Sequence, residues 1–448
     1  MSTEGFNPLC NFSVDNQKKF KKSLDFKSND ITMSLFLTNN YIVMLLDLYN
    51  PHWDKDFFYD IGFKRNLYKK IKKQINNRFI INISWLRRVW KTTLLKQLTD
   101  FLIKRNDVKR EHIFFYSFDG AWEIEEKIKE YQKIFNINFF HQKVYIFFDE
   151  IQKVKDWQSK IKIYYDMYPN IKFVLTWSNS LYLQKRESLA WRMYEYTMKP
   201  LYFDEYLRFK KLSYFLENTN IHKDKIIREF ESYIFRQFID IIDFSNREAI
   251  LYVNTLINKI IKEDISAYFN IEYPDVLMQI FKIIRTKPWM LMDYKNFANN
   301  LNIDQRTLEK YIYFLMEANL INKVYNFSKN IIKTERKLKK VYLSCCSFFL
   351  WDVNRFSVSW ELFENYVQNT YDYEYFWKLS DREVDFVHVN HKNDIKAIEV
   401  KYRDNIKKDD LRWIKSFVKK FDVKEKIIIS KSFDDNIDDV KIIPFYKG

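Results

Sequence analysis

The chain has 448 residues, 47% of them apolar and 19% aromatic, which excludes the disordered class and leaves enough length for about three packed domains. Lys and Arg outnumber Asp and Glu by 75 to 59, a formal charge of +16; this favours a polyanionic partner, although a Lys-rich solvated surface gives the same excess. Three cysteines without metal-ligand spacing and no leader pattern suggest a reducing cytoplasm, and the apolar stretch at 42–49 is too short to cross a bilayer and contains Asp47, so no membrane is expected.

Residues 1–40 are polar and weakly periodic and read as an N-terminal extension. From 41 to 79 apolar positions recur at helical spacing, broken at Pro51, and end in a basic helix, RNLYKKIKKQI, of a kind that often serves only as a solvated face. Residues 81–84 then read as a buried strand, and Leu94 onward as a helix. Between them stand Trp85, Leu86, Arg87, Arg88, Val89, Trp90, Lys91, Thr92 and Thr93. A phosphate-binding loop, G-x-x-x-x-G-K-[ST], needs backbone N–H groups that wrap phosphates, a Lys for the outer phosphates and a hydroxyl for Mg²⁺. Lys91 and Thr92 fill the last two places, while both glycines are tryptophan, the residue least able to copy a glycine backbone.

Composition bears on that mismatch. Globular chains average roughly 7% Gly, whereas this one has 4 Gly and 12 Trp. Trp177, after the apolar run KFVLT, and Trp191, in LAWRMYEY, also stand where glycine makes physical sense. Two causes fit: a genetic code in which one glycine codon is rendered as Trp in the translated sequence, or a chain that has lost the loop.

Residues 113–118 form a second expected strand and 123–135 a helix. The next strand, Val144 to Phe148, ends in Asp149 and Glu150, which places two carboxylates at the ligand crevice of a parallel sheet. Beside a Lys-Thr loop, Asp149 joins Thr92 in the Mg²⁺ shell and Glu150 orients and deprotonates the attacking water; an acidic strand end alone would mean little. After the strand 171–176, Asn179 is a polar amide able to touch the outer phosphate, and Arg192 is a cation for a phosphate in cis or across a subunit boundary, unless it is a plain surface charge.

Residues 215–285 read as helical. From 292 to 328 the order is short helix, turn at Asn302-Ile303, helix capped by Asp304, reversal at Asn319 and an extended segment. Gln305, Arg306, Thr307 and Lys310 would face DNA in a helix-turn-helix with a wing, and the same motif also serves as a protein-binding module. In the last unit thirteen residues, Phe386 to Ile398, separate Asp385 from Glu399, and Lys401 shares the Glu399 face two positions on. Asp385 and Glu399 as metal ligands, Lys401 as water activator and Glu364 as a further ligand are the ingredients of Mg²⁺-dependent phosphodiester hydrolysis; the bland alternative is a hairpin with a charged wet face.

The segments NP at 50–51, the Arg87-Arg88 loop, FFDEIQKVKDW, KFVLTWSNS, ESLAWRMYEY and KPLYFDEY together resemble the prokaryotic, archaeal-type AAA-family ATPases, over about residues 45–445. The resemblance implies an α/β P-loop NTPase with an AAA-like parallel sheet over 41–214, then a helical and winged helix-turn-helix-like region over 215–340 and a C-terminal α/β restriction-endonuclease-like (PD-(D/E)xK) domain over 341–448. It implies ATP and Mg²⁺ as cofactors and carries the nucleotide roles onto Lys91, Thr92, Asp149, Glu150, Asn179 and Arg192. It also assigns glycine to Trp85, Trp90, Trp177, Trp191, Trp289, Trp360 and Trp413, while Trp157 and Trp377 fit as tryptophan. Three functions follow as expectations: an ATPase switch coupled to a DNA-binding or nuclease-like C-terminal half, an ATP-gated nuclease, or a protein-binding pseudo-ATPase if Trp85 and Trp90 are real. DNA and a protein both stand as partners, and Arg192 in trans would imply an oligomer.

Overall fold

A computed structural model describes residues 46–84, 86–120, 123–177, 189, 191–271, 273–287, 289–336, 338–350 and 356–447. The extension expected over 1–40, Trp85 and Asn179 lie outside the described residues.

The first half is built from α1 (Asn66–Gln74), β1 (Ile80–Ser84), α2 (Lys91–Ile103), β2 (Ile113–Ser117), α3 (Ile124–Phe135), β3 (Val144–Asp149), α4 (Trp157–Met167), β4 (Ile171–Thr176) and β5 (Met193–Thr197). The strands form one sheet in the order β2-β3-β4-β1-β5, with every neighbouring pair parallel. A parallel sheet is covered on both faces, and residues i and i+2 of a strand share a face. Accordingly Ile81, Ile83, Phe115, Phe147 and Val174 pack with Leu94, Leu95 and Leu98 of α2, whereas Phe114, Ile146, Phe148, Phe173 and Leu175 pack with Ile124, Ile128 and Tyr131 of α3 and Trp157 and Ile161 of α4. β4 lies between β1 and β3, so the segment after β1 and the carboxylates after β3 face one crevice at the strand ends.

Helices α5 (Phe203–Phe209), α6 (Thr219–Tyr233) and α7 (Asn246–Lys259) follow, and α7 runs into a π-helical turn, Ile260–Ile265, before α8 (Ser266–Phe269) and α9 (Pro274–Thr286). Then come β6 (Trp289–Met292), α10 (Tyr294–Asn300), α11 (Gln305–Glu317), β7 (Ile321–Asn326), α12 (Ile331–Arg336) and β8 (Lys339–Leu343). The Asp304 side chain accepts from the Arg306 N–H, which fixes the start of α11.

The chain ends with α13 (Trp360–Tyr371), β9 (Tyr375–Leu379), β10 (Arg382–Val389), β11 (Ile395–Lys401), α14 (Arg412–Val418), β12 (Val423–Ser430), β13 (Asp435–Ile437) and β14 (Val440–Pro444). These strands continue those of the preceding segment in one nine-stranded sheet, β13-β14-β12-β11-β10-β9-β7-β8-β6. The seam is the parallel pairing of Tyr325 with Tyr375 and Asn326 with Phe376. The boundary expected at 340/341 lies within β8. Among the described residues no helix is long and apolar enough to cross a membrane.

Candidate functional site

The segment joining β1 to α2 turns sharply, and Arg88 and Trp90 both lie in the left-handed region, at φ 65° and 69°. A side chain is costly there, about 1–2 kcal/mol per residue. Leu86 and Val89 are buried beneath the loop. Arg65, itself buried, braces the loop by donating to the Val89 carbonyl (3.2 Å) while paired with Glu205 at 2.8 Å.

Lys91 opens α2 and folds back so that its ammonium donates to the Leu86 carbonyl at 2.7 Å. Burial pushes its pKa down to about 8, against the opposing pull of Glu150 and Asp149. The Thr92 hydroxyl donates to Asp149 Oδ2 at 2.5 Å, and the Thr176 hydroxyl at the tip of β4 donates to Oδ1. Burial holds the Asp149 carboxyl above its ordinary range, partly offset by those two hydroxyls. Glu150 sits at φ 53°, and its Oε2 accepts from Gln152 Nε2 at 2.5 Å.

These groups border an open cleft of about 400 Å³ lined by Arg87, Arg88, Trp90, Lys91, Thr92, Thr93 and Glu150 on one side and by Thr255, Leu256 and Lys259 of α7 on the other. The Arg87 guanidinium pairs with both carboxylate oxygens of Asp264, at 2.9 and 3.0 Å, and Arg88 stacks over the Tyr252 ring at 4.9 Å. Arg192 is not part of this cleft. Its carbonyl accepts from the Ile80 N–H at the start of β1, the sheet edge opposite the loop, and its guanidinium pairs with Asp166 of α4 at 2.9 Å. A five-residue strand spans roughly 16 Å, so the expectation that Arg192 serves this cleft in cis is corrected.

At the other end, pairing of Phe386 with Ile398 sets Asp385 across from Glu399 on β10 and β11. A register shift between Val384 and Val387 bends β10 at that point, a device that re-aims side chains. Lys401 Nζ lies 2.6 Å from Glu399 Oε1, Asp385 Oδ2 accepts from the Val400 N–H at 2.8 Å, and Glu399 Oε2 is buried without a hydrogen-bond partner. Burial, reinforced by Glu399 and Glu364, holds the Asp385 carboxyl well above its ordinary range. Glu364 joins the cluster, but its Oε1 accepts from Lys340 at 2.9 Å and from the Tyr342 hydroxyl at 2.5 Å, and Lys340 also pairs with Glu383. Among the described residues no group of three or more His, Cys, Asp and Glu side chains is arranged to hold a metal ion. Lys340 and Lys401 set positive charge directly against these carboxylates.

Residues 77–207 match a family model described as an AAA domain. Over that stretch the chain is similar to AAA domains. Residues 240–349 and 358–447 match two models each described as a domain of unknown function, DUF8612 and DUF4143, so the wall that α7 gives the cleft lies outside the residues matched by the AAA model. An uncharacterized protein of Methanocaldococcus jannaschii is 26% identical over 349 residues, 70% of this chain and 72% of that one. An uncharacterized protein of Haemophilus influenzae is 25% identical over 272 residues, 58% of this chain and 66% of that one. Among solved structures, the Aeropyrum pernix ORC1 protein in complex with DNA aligns over 67% of this chain and 94% of its own at 9% identity and TM-score 0.32. C. elegans PCH-2 aligns over 39% of this chain and 52% of its own at 16% identity and TM-score 0.23. At these scores neither carries weight.

The AAA domain thus brings Arg87, Arg88, Lys91, Thr92, Thr93, Asp149 and Glu150 together. Arg65, Asp264, Tyr252 and Lys340 escaped the reading of the sequence because each acts on a residue far away along the chain. Thr176 and Gln152 had a readable signal: a polar residue at a buried strand's tip and one just past the acidic pair.

Proposed function

We propose that the AAA domain binds ATP with Mg²⁺ and hydrolyses it, and that the nucleotide it holds sets how residues 215–448 engage a polyanion, with DNA as the first choice. The observation that carries this reading is the convergence of Thr92 and Asp149 beside Lys91, at the ends of strands separated by β4, with Glu150 on the open cleft. A hydroxyl and a carboxylate already in contact are the hard oxygen donors Mg²⁺ prefers, and the ion when bound neutralises phosphate charge. Lys91 holds the charge of the outer phosphates, Thr92 and Asp149 offer oxygens to the ion, and Glu150 takes the proton of the attacking water while Gln152 fixes its orientation. Asn179 is assigned the contact that reports the outer phosphate, and Arg192, directed away from its own cleft, is assigned to a neighbouring subunit.

The test uses protein carrying Trp85→Gly and Trp90→Gly. Mg²⁺-dependent ATP turnover that Glu150→Gln removes supports the reading, and a turnover rate unchanged by Glu150→Gln overturns it. Duplex binding measured across a salt series, with and without ATP, tests the coupling: salt-independent or absent binding removes DNA as the partner.

A second reading, an ATP-gated nuclease at Asp385, Glu399 and Lys401, is favoured by the unpartnered Glu399 Oε2 and opposed by the lysines that already neutralise the cluster. Metal-dependent nicking lost in Asp385→Ala would support it. If Trp85 and Trp90 are native, the chain is instead a protein-binding pseudo-ATPase, and micromolar ATP affinity of the Trp form would exclude that.

A further inference from the structure

The Arg87–Asp264 pair joins the phosphate loop of the AAA domain to the π-turn of the next unit. Arg87 lies in the loop, lines the same cleft as Lys91, Thr92 and Glu150, and gives both its Nε and one terminal nitrogen to the Asp264 carboxylate. Asp264 belongs to the six-residue π-turn Ile260–Ile265 that interrupts the α7–α8 helix. Such turns break the regular ladder and recur at functional sites. Arg88 on Tyr252, one helix segment earlier, is a second brace between the same two units. Ile260, Ile261 and Ile265 anchor the π-turn in the core, so Asp264 is held at the cleft by packing and not by the pair alone.

A guanidinium recognises a carboxylate and a phosphate with the same planar fork. We propose that Asp264 and the terminal phosphate of a nucleoside triphosphate compete for Arg87, so that Asp264 is the positioning residue through which the third phosphate loosens the AAA domain from residues 240–349. The inference rests on the nucleotide reading above and names its regulation. A diphosphate, one phosphate shorter, leaves Arg87 with Asp264. A triphosphate draws it away, and the π-turn loses its ionic tie to the loop while keeping its apolar anchor. The signal delivered to the nine-stranded sheet is therefore the release of one element.

The experiment uses full-length protein carrying Trp85→Gly and Trp90→Gly, with ATP and ADP affinities from titration calorimetry and amide exchange followed at 260–265. In the parent, ATP but not ADP speeds exchange of the π-turn amides. Asp264→Asn exchanges at the faster rate without nucleotide and raises the ATP-to-ADP affinity ratio about tenfold, the scale of one charge-assisted hydrogen bond. Asp264→Glu restores both, which a merely structural role for Asp264 would not do. Arg87→Gln, approached from the other partner, loses the ATP response while still binding ADP. A parent that binds ATP with no change at 260–265, or an Asp264→Asn protein with an unaltered ratio, overturns the competition and leaves the ATPase reading standing. A parent that binds neither nucleotide overturns both.

Discussion

Trp90 and Trp191 share one backbone setting, φ 69°, in the left-handed region where a glycine costs nothing and a tryptophan is strained. The Trp191 ring is 95% exposed and gains little in return, whereas the Trp90 ring packs edge-on against Phe63 and Phe209. Trp191→Gly is therefore expected to stabilise the fold by about 1 kcal/mol, and Trp90→Gly to be near neutral because lost packing offsets relieved strain. Urea unfolding of the two variants checks this. The companion measurement is the mass of a peptide spanning residues 89–91 from the native host, expected to carry glycine at position 90.

Lys91→Ala and Glu150→Gln are expected to separate binding from turnover in the glycine-restored protein. In the proposed site Lys91 holds the phosphate charge, so its loss should weaken ATP binding by at least about 2 kcal/mol, the worth of a charged hydrogen bond in a closed site. Glu150→Gln should bind ATP near the parent affinity and turn over at least a hundredfold more slowly, the usual weight of a general base. Calorimetry and phosphate release on the same preparations read the two effects.

Lys91 also gives the site a pH signature. Its folded pKa, about 8, lies below its ordinary value of 10.5, so between those values the unfolded chain binds more protons than the folded one. Stability contributed at this position thus rises with pH from about 8 to 10.5, and the burial penalty is fully present below 8. Lys91→Met should be more stable than the parent at pH 7, by on the order of 2–3 kcal/mol, with the gap closing toward pH 10. ATP affinity runs the other way and should fall above about pH 8 as the ammonium loses its proton. Parallel denaturant and titration series across pH 6.5–10 test both slopes.

Lys340 lies in the β8 strand and neutralises Glu364 and Glu383 at the edge of the C-terminal cluster, with its own charge almost fully buried. Removing one partner of a buried pair costs about 3–5 kcal/mol because the other charge is left alone. Lys340→Met is expected to lower the melting temperature markedly, and millimolar Mn²⁺ or Mg²⁺ should recover part of that loss in the variant while leaving the parent unmoved. Equal metal responses in both proteins would show that Lys340 does not stand in for a cation.

The parallel sheet was legible because its strands are short, continuous apolar runs, IINIS, IFFYS, VYIFFD and IKFVLT, each followed by residues that suit a crevice. Asp149 and Glu150 were legible because they close and follow an apolar strand, and Lys91 and Thr92 because a Lys-Thr pair opens the helix after the loop that follows β1. Asp385, Glu399 and Lys401 were found by period-two spacing, which the register of β10 against β11 respects. Arg192, close in sequence to β4, lies in the fold at the entry of β5 and not its exit, a placement no local pattern announces. The Arg87–Asp264 tie and the Lys340 charge had no signature, since neither a partner far along the chain nor the seam between β7 and β9 alters any local period.

The seam has one more effect. One sheet whose two halves meet through paired strands cannot be divided cleanly, because cutting between Leu350 and Phe356 exposes the edge of β7 on one product and of β9 on the other. Residues 240–349 and 358–447 therefore share one hydrogen-bonded sheet and are expected to unfold together.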